Sequence, residues 1–356
     1  MLNIREFRGD EFVNRDKEIK FLKDWFEKLP KEILWLFGPK STGKTTLIEY
    51  VIENELFDDF KLFKSEKYNV KYINFRQKLI GNYKMFLDSI IKPEVDENEV
   101  SMSLNLGVLR LSQKLYERTR SKDEDVFDVL MEYFQNSKKK NILVIDEIQV
   151  LEDIYIDKEK ELLKEFLNFC VALTKETHLA HVVILSSNTI FINEIYNHAK
   201  LKVTSEFKRI EHMNKETTFE YLKIKCLNQE EINLVWEYIG GCIPLLQKML
   251  RDKNQYPTLQ DYLNRRVKLA KSEIMMTFRE LLLADRSYLR PYFMEVIEII
   301  VKNGYYEMDF TKKETAEVIT YFSEKEILFF DPLENIVTGN NRVYEKAFEV
   351  LLKEQK

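Results

Sequence analysis

Residues 38–45 read GPKSTGKT and sit between an apolar run, ILWLF at 33–37, and a stretch of helical character, TLIEYVI at 46–52. A glycine-bounded loop in that position turns its backbone N–H groups inward at the positive end of the next helix, which makes a cradle for phosphates. The chain has only nine glycines in 356 residues, and two of them fall at the spacing this loop needs. Coincidence is therefore a poor explanation. A strand that feeds a phosphate loop and then a helix predicts a parallel α/β sheet with such units repeated.

Further short apolar runs occur at 70–75, 142–145 and 182–185, with a weaker one at 209–213, and helical stretches at 126–134 and 158–174 connect them. The expected fold is α/β, a P-loop NTPase parallel-sheet core with an additional strand. Segment 101–112, SMSLNLGVLRLS, alternates apolar and polar residues and reads as an inserted strand or hairpin; residues 76–100 read as a helix followed by an acidic loop at 96–99. After about residue 213 helices dominate, at 215–225, 229–239, 245–250 and 259–283, with Gly240-Gly241 breaking the set. The last segment changes again: helices at 290–303 and 312–322, a hairpin of 327–331 and 336–338 around a PLEN turn, and a closing helix at 342–353. That order resembles a winged helix. Three units are expected: a nucleotide-binding α/β domain at 1–213, a helical lid at 214–284 and a winged helix domain at 285–356.

The chemistry follows from the loop outward. Lys44 is the residue to reach the β- and γ-phosphates, Thr45 supplies a hydroxyl to Mg2+, and Gly43 permits close backbone approach. The contact run is Gly38, Pro39, Lys40, Ser41, Thr42, Gly43, Lys44, Thr45 and Thr46. About a hundred residues on, the strand ILVI ends in Asp146-Glu147. Asp146 supports the metal, and Glu147 is the expected base that orients a water against the γ-phosphate. After VVIL at 182–185, Ser187 or Asn188 is the expected polar sensor of the γ-phosphate or the lytic water, and Arg209 is a candidate for transition-state charge.

Bulk properties narrow the partners. Basic and acidic residues nearly cancel to a net charge of -5, so no globally basic surface for nucleic acid exists. Residues 281–356 hold ten basic against fourteen acidic side chains, which disfavours DNA and favours a docking role for the winged helix. Three widely spaced cysteines suit a reducing compartment, and the charged start of the chain and lack of a long apolar run point to a cytoplasmic location without a membrane. The four histidines make no metal set, and His178 and His181 read as surface or capping positions before a strand.

Four boxes in order, FVNRDKEI at 12–19, GPKSTGKT, ILVIDEIQ at 142–149 and GGCIPLL at 240–246, together with the terminal ILFFDPLENIVTGNNRVYEKA, resemble the archaeal ATPase family, a branch of AAA-like signal-transducing P-loop ATPases. The resemblance implies that Val13, Asn14 and Arg15 lie near adenine and ribose and that Pro244 of the lid closes over the base. Asn14 stands where the family usually has glycine. The implied activity is Mg2+-dependent ATP hydrolysis in a conformational switch that binds ATP and ADP, with a protein partner or self-association. Two other readings stay open: an ATP-regulated DNA-binding module, and a nucleotide-loaded scaffold with negligible turnover.

Overall fold

The computed structural model describes residues 2–59, 65–93, 109–120, 124–156, 160–198, 200–309 and 311–354. Its strands are β1 (Ile4–Phe7), β2 (Asp10–Val13), β3 (Ile33–Phe37), β4 (Tyr68–Asn74), β5 (Ile91–Pro93), β6 (Leu109–Leu111), β7 (Lys140–Asp146), β8 (Tyr155–Ile156), β9 (Lys160–Glu161), β10 (Ala180–Ser186), β11 (Ser205–Arg209), β12 (Tyr306–Glu307), β13 (Leu328–Asp331) and β14 (Ile336–Gly339). Five of them form a parallel sheet in the order β11-β3-β10-β7-β4. Strand β10 lies between the strand that feeds the phosphate loop and the strand that ends in Asp146, so the additional strand of the expected core is present.

The sheet is covered on both faces, which explains why its central strands read as continuous apolar runs. Trp35, Phe37, Leu143, Ile145, Val182 and Ile184 enter one core, whereas Leu34, Leu36, Ile142, Val144, Val183 and Leu185 enter the opposite one, as the two-residue period requires. Register puts Phe37 beside Ser186 and Arg209, and Asp146 beside Leu185 and Asn74. The C-terminal strand ends therefore finish at one level, the edge where ligands bind in open α/β sheets.

Some expectations shift. The fifth strand is β11 at Ser205–Arg209, not 209–213, because an edge strand is only half-buried and its sequence, SEFKR, carries no apolar run. His181 is not a surface position: it is buried within β10, its Nε2 is 3.1 Å from the Lys28 carbonyl oxygen, and burial pushes its pKa down to about 4. The helix expected within 76–100 is Tyr83–Ile90, while the acidic loop at 96–99 and residues 101–108 of the inserted segment lie outside the described residues. Residues 109–111 form β6, which pairs in parallel with β5.

Beyond the sheet, helices Lys215–Ile224, Gln229–Tyr238, Ile243–Asp252 and Leu259–Leu283 lead into a winged helix of helices Leu289–Asn303 and Lys313–Glu324, the antiparallel sheet β12-β14-β13 and helix Arg342–Glu354. Lid and winged helix share one apolar core, in which Leu222, Val235 and Leu246 join Phe293, Phe322 and Phe348. The rings of Phe293 and Phe322 stack with centroids 3.9 Å apart. Gly241 is needed where the lid meets the sheet domain, since a Cβ there would stand 1.8 Å from the Met213 carbonyl oxygen, and the Met213 N–H donates to the Gly241 carbonyl at 3.0 Å. No described helix is long and apolar enough to cross a membrane.

Candidate nucleotide site

The loop after β3 is shaped by two left-handed residues, Ser41 (φ 64°) and Gly43 (φ 83°), and Gly43 caps helix Lys44–Val51. Gly38 passes so close to Ile210 that a Cβ would lie 2.2 Å from its carbonyl oxygen. Inside the loop, Lys44 Nζ donates to the Gly38 and Pro39 carbonyls at 2.8 and 3.0 Å, and Thr42 Oγ1 donates to Pro39 O at 3.0 Å. Burial pushes the Lys44 pKa down to about 8. An ammonium in that setting gains strongly from an incoming polyanion.

At the second residue of the helix, Thr45 Oγ1 donates to Asp146 Oδ2 at 2.9 Å, across 101 residues of chain, and the Tyr72 hydroxyl donates to the same oxygen at 3.2 Å. Burial raises the Asp146 pKa, the neighbouring Glu147 charge raises it further, and the Thr45 bond opposes both. A hydroxyl and one carboxylate, both hard oxygen donors, fit Mg2+, which takes one or two protein ligands with phosphates and waters completing its octahedron. Among the described residues no cluster of three His, Cys, Asp or Glu offers an all-protein cage.

Glu147 adopts a left-handed backbone (φ 61°), its N–H bonds the Leu185 carbonyl at 3.3 Å, and its two carboxylate oxygens accept from the Arg76 guanidinium and the Gln149 amide. Ser187 is half-buried after β10, and Asn188 Oδ1 accepts from Phe191 N–H at 3.1 Å, so Asn188 caps helix Thr189–His198. Arg209, which the register sets beside Phe37, is engaged by the winged helix: its guanidinium pairs with Asp331 and lies 5.4 Å from the Phe329 ring centroid.

Beside the loop opens a cleft of about 310 Å³, within the range of small-molecule sites. Val13 and Arg15 from the N-terminal segment, Ser41, Thr42, Gly43 and Thr46 from the loop, and Pro244 and Gln247 from the lid line it. Asn14 is not among these: its φ of 49° turns its side chain to Thr217 Oγ1, 2.9 Å away on the first lid helix. That left-handed backbone is the geometry for which glycine is the usual residue. Arg15 is buried and acts as a clamp, with Nη2 donating to the Thr42 carbonyl at 2.6 Å and the Glu211 carbonyl at 2.8 Å.

Sequence reading did not anticipate Tyr72, Arg76 or Gln247, nor Glu49, which lines the cleft and pairs with Arg8 at 2.9 Å. Only Glu49 carried a usable signal, being four positions beyond Thr45 on the same helix face.

Residues 12–249 match a family described as an ATPase domain predominantly from Archaea. Two uncharacterised ATP-binding proteins of Methanocaldococcus jannaschii are each 30% identical to this chain, over 96% and 97% of it and 98% of their own length. Among solved structures, the ORC2 protein of Aeropyrum pernix in ADPNP-ADP complexes aligns over 99% of this chain and 96% of its own, at 11% identity and a TM-score of 0.46. At that distance no residue role can be transferred.

Proposed function

The chain belongs to the family of ATPase domains found predominantly in Archaea, and from that premise we propose that it binds ATP with Mg2+ and hydrolyses it slowly, as a conformational switch. The observation that carries this reading is the 2.9 Å bond from Thr45 Oγ1 to Asp146 Oδ2, on the helix whose Thr46 lines the cleft that Val13 and Pro244 also line. The base would lie in that cleft, and the loop N–H groups and Lys44 would hold the phosphates. Thr45 and Asp146 would hold Mg2+, which when bound supplies neutralising charge to the β- and γ-phosphate oxygens.

Hydrolysis would be in-line attack of water on the γ-phosphorus. The water oxygen bonds to phosphorus as the bond to the bridging oxygen breaks, the water's proton passes to Glu147, and ADP and phosphate leave. Arg76 and Gln149 each donate to one Glu147 oxygen, which orients the carboxylate and lowers its basicity towards the water, in keeping with the slow turnover proposed. Ser187 is the remaining sensor candidate, since the Asn188 side chain already caps a helix. The units at 1–213, 214–284 and 285–356 are the moving parts of the switch, and their docking on one another makes a protein partner or self-association the natural output.

Calorimetry of the full chain with Mg-ATP tests the reading. Lys44→Ala should abolish binding, while Glu147→Gln should keep binding and lower turnover about a hundredfold or more. Wild-type turnover in Glu147→Gln removes the base assignment, and wild-type affinity in Lys44→Ala removes the nucleotide reading itself.

A further inference from the structure

Helix Ile243–Asp252 carries Pro244 in its first turn and Gln247 three positions later on the same face, so both line the cleft that Val13 also lines. Leu246 and Met249 on either side of Gln247 are fully buried, which fixes the turn that presents it. Gln247 Nε2 donates to the Glu11 backbone carbonyl at 3.2 Å, across 236 residues of chain. A carbonyl oxygen can only accept, so this bond settles which end of the amide is which. The NH2 end is turned to β2, and Oε1 is left as an acceptor without a partner among the described residues. The Glu11 carbonyl is itself fixed, because the Glu11 carboxylate accepts from the Tyr221 hydroxyl at 2.7 Å and pairs with Lys225, both on the lid side.

The charged side chains of the cleft are already committed. Arg8 pairs with Glu49 and Glu53, and Arg15 donates to two backbone carbonyls. Asp10 is exposed at the start of β2, where water solvates it. Gln247 is the one amide among the residues lining the cleft, and it offers a free acceptor next to a free N–H. That order matches one kind of purine edge. Adenine sets a 6-amino donor beside ring-nitrogen acceptors, and a side-chain amide meets it with two bonds, the amino group to the amide oxygen and the amide N–H to the ring nitrogen. Guanine and hypoxanthine carry a 6-oxo acceptor at the same place. Against Oε1 such a base sets acceptor on acceptor, and both lose their water without gaining a partner.

Resting on the nucleotide reading above, we infer that Gln247 sets the base specificity of the cleft: its Oε1, oriented through the Glu11 carbonyl, accepts from the 6-amino group of adenine and rejects purines with a 6-oxo group. A free glutamine would turn its amide over and offer the NH2 end to a 6-oxo base at little cost. Here that turn would set Oε1 against the Glu11 carbonyl oxygen, so the wrong base stays unsatisfied.

Mg-ATP and Mg-ITP differ only at the 6-position and the adjoining N1, so the test is their affinity for the full chain, as wild type and as Gln247→Met, which keeps the length of the side chain and removes both bonds. Wild type should bind Mg-ATP about thirtyfold more tightly than Mg-ITP, the equivalent of one bond made and one acceptor left unpaired. Gln247→Met should weaken ATP about fivefold and bring the two affinities within about threefold of each other. A wild type that binds ITP as well as ATP, or a Gln247→Met variant that lowers both affinities together and keeps their ratio, overturns the inference and leaves the nucleotide reading intact. A wild type that binds neither nucleotide overturns both.

Discussion

Raising the pH from 7 to 9 should weaken nucleotide binding about tenfold through Lys44. In the free protein burial holds this ammonium at a pKa of about 8 rather than 10.5. Phosphates against Nζ restore the charged form, returning the pKa to at least the ordinary lysine range. Below pH 8 the free protein already carries the proton, so affinity is at its full value. Above pH 8 the proton must be taken up on binding, and affinity falls by the free protein's charged fraction, to roughly a tenth at pH 9. Calorimetry in buffers of different ionisation enthalpy reads the same event as uptake of about half a proton at pH 8 and nearly one at pH 9. Two other groups bear on the same window. His212, held at about 4 by burial, is neutral throughout. Lys71 on β4 is also pushed to about 8 by burial, so a Lys71→Met variant should retain the drop. A dissociation constant flat from pH 7 to 9, with buffer-independent enthalpy, refutes the reasoning.

Two further substitutions test the geometry. Arg76→Ala frees one oxygen of Glu147, so single-turnover hydrolysis should speed up severalfold at unchanged ATP affinity; an unaltered or slower rate means that Arg76 does not restrain the base. Gly241→Ala forces a Cβ to 1.8 Å from the Met213 carbonyl oxygen. This should cost about 3 kcal/mol, seen as a lowered melting temperature, and a Tm equal to wild type would show that the lid junction yields without strain.

Much of the fold is legible along the chain because its signals are local. ILWLF and ILVI are continuous apolar runs, since both faces of β3 and β7 are covered, and helix Leu259–Leu283 has the bounds its periodicity predicts. The phosphate loop declares itself through glycine spacing, and Asp146-Glu147 through its position at a strand end. The bounds of β11 are not legible, because a half-exposed edge strand writes no apolar run, and neither is the hairpin of β1 and β2, because IREF and DEFV are short and charged.

Tertiary structure alone decided which functional groups are engaged and with whom. Residue type marks Arg209 as a cation and Glu147 as a base, yet only packing pairs the first with Asp331 and the second with Arg76. Asn340 carries no motif, yet β14 and helix Arg342–Glu354 deliver its Oδ1 to the Lys40 N–H across 300 residues of chain. Strand and helix periods report each residue's own face and neighbours. A contact across 300 residues depends on how separately folded surfaces dock, and nothing in the local pattern of either partner records the other.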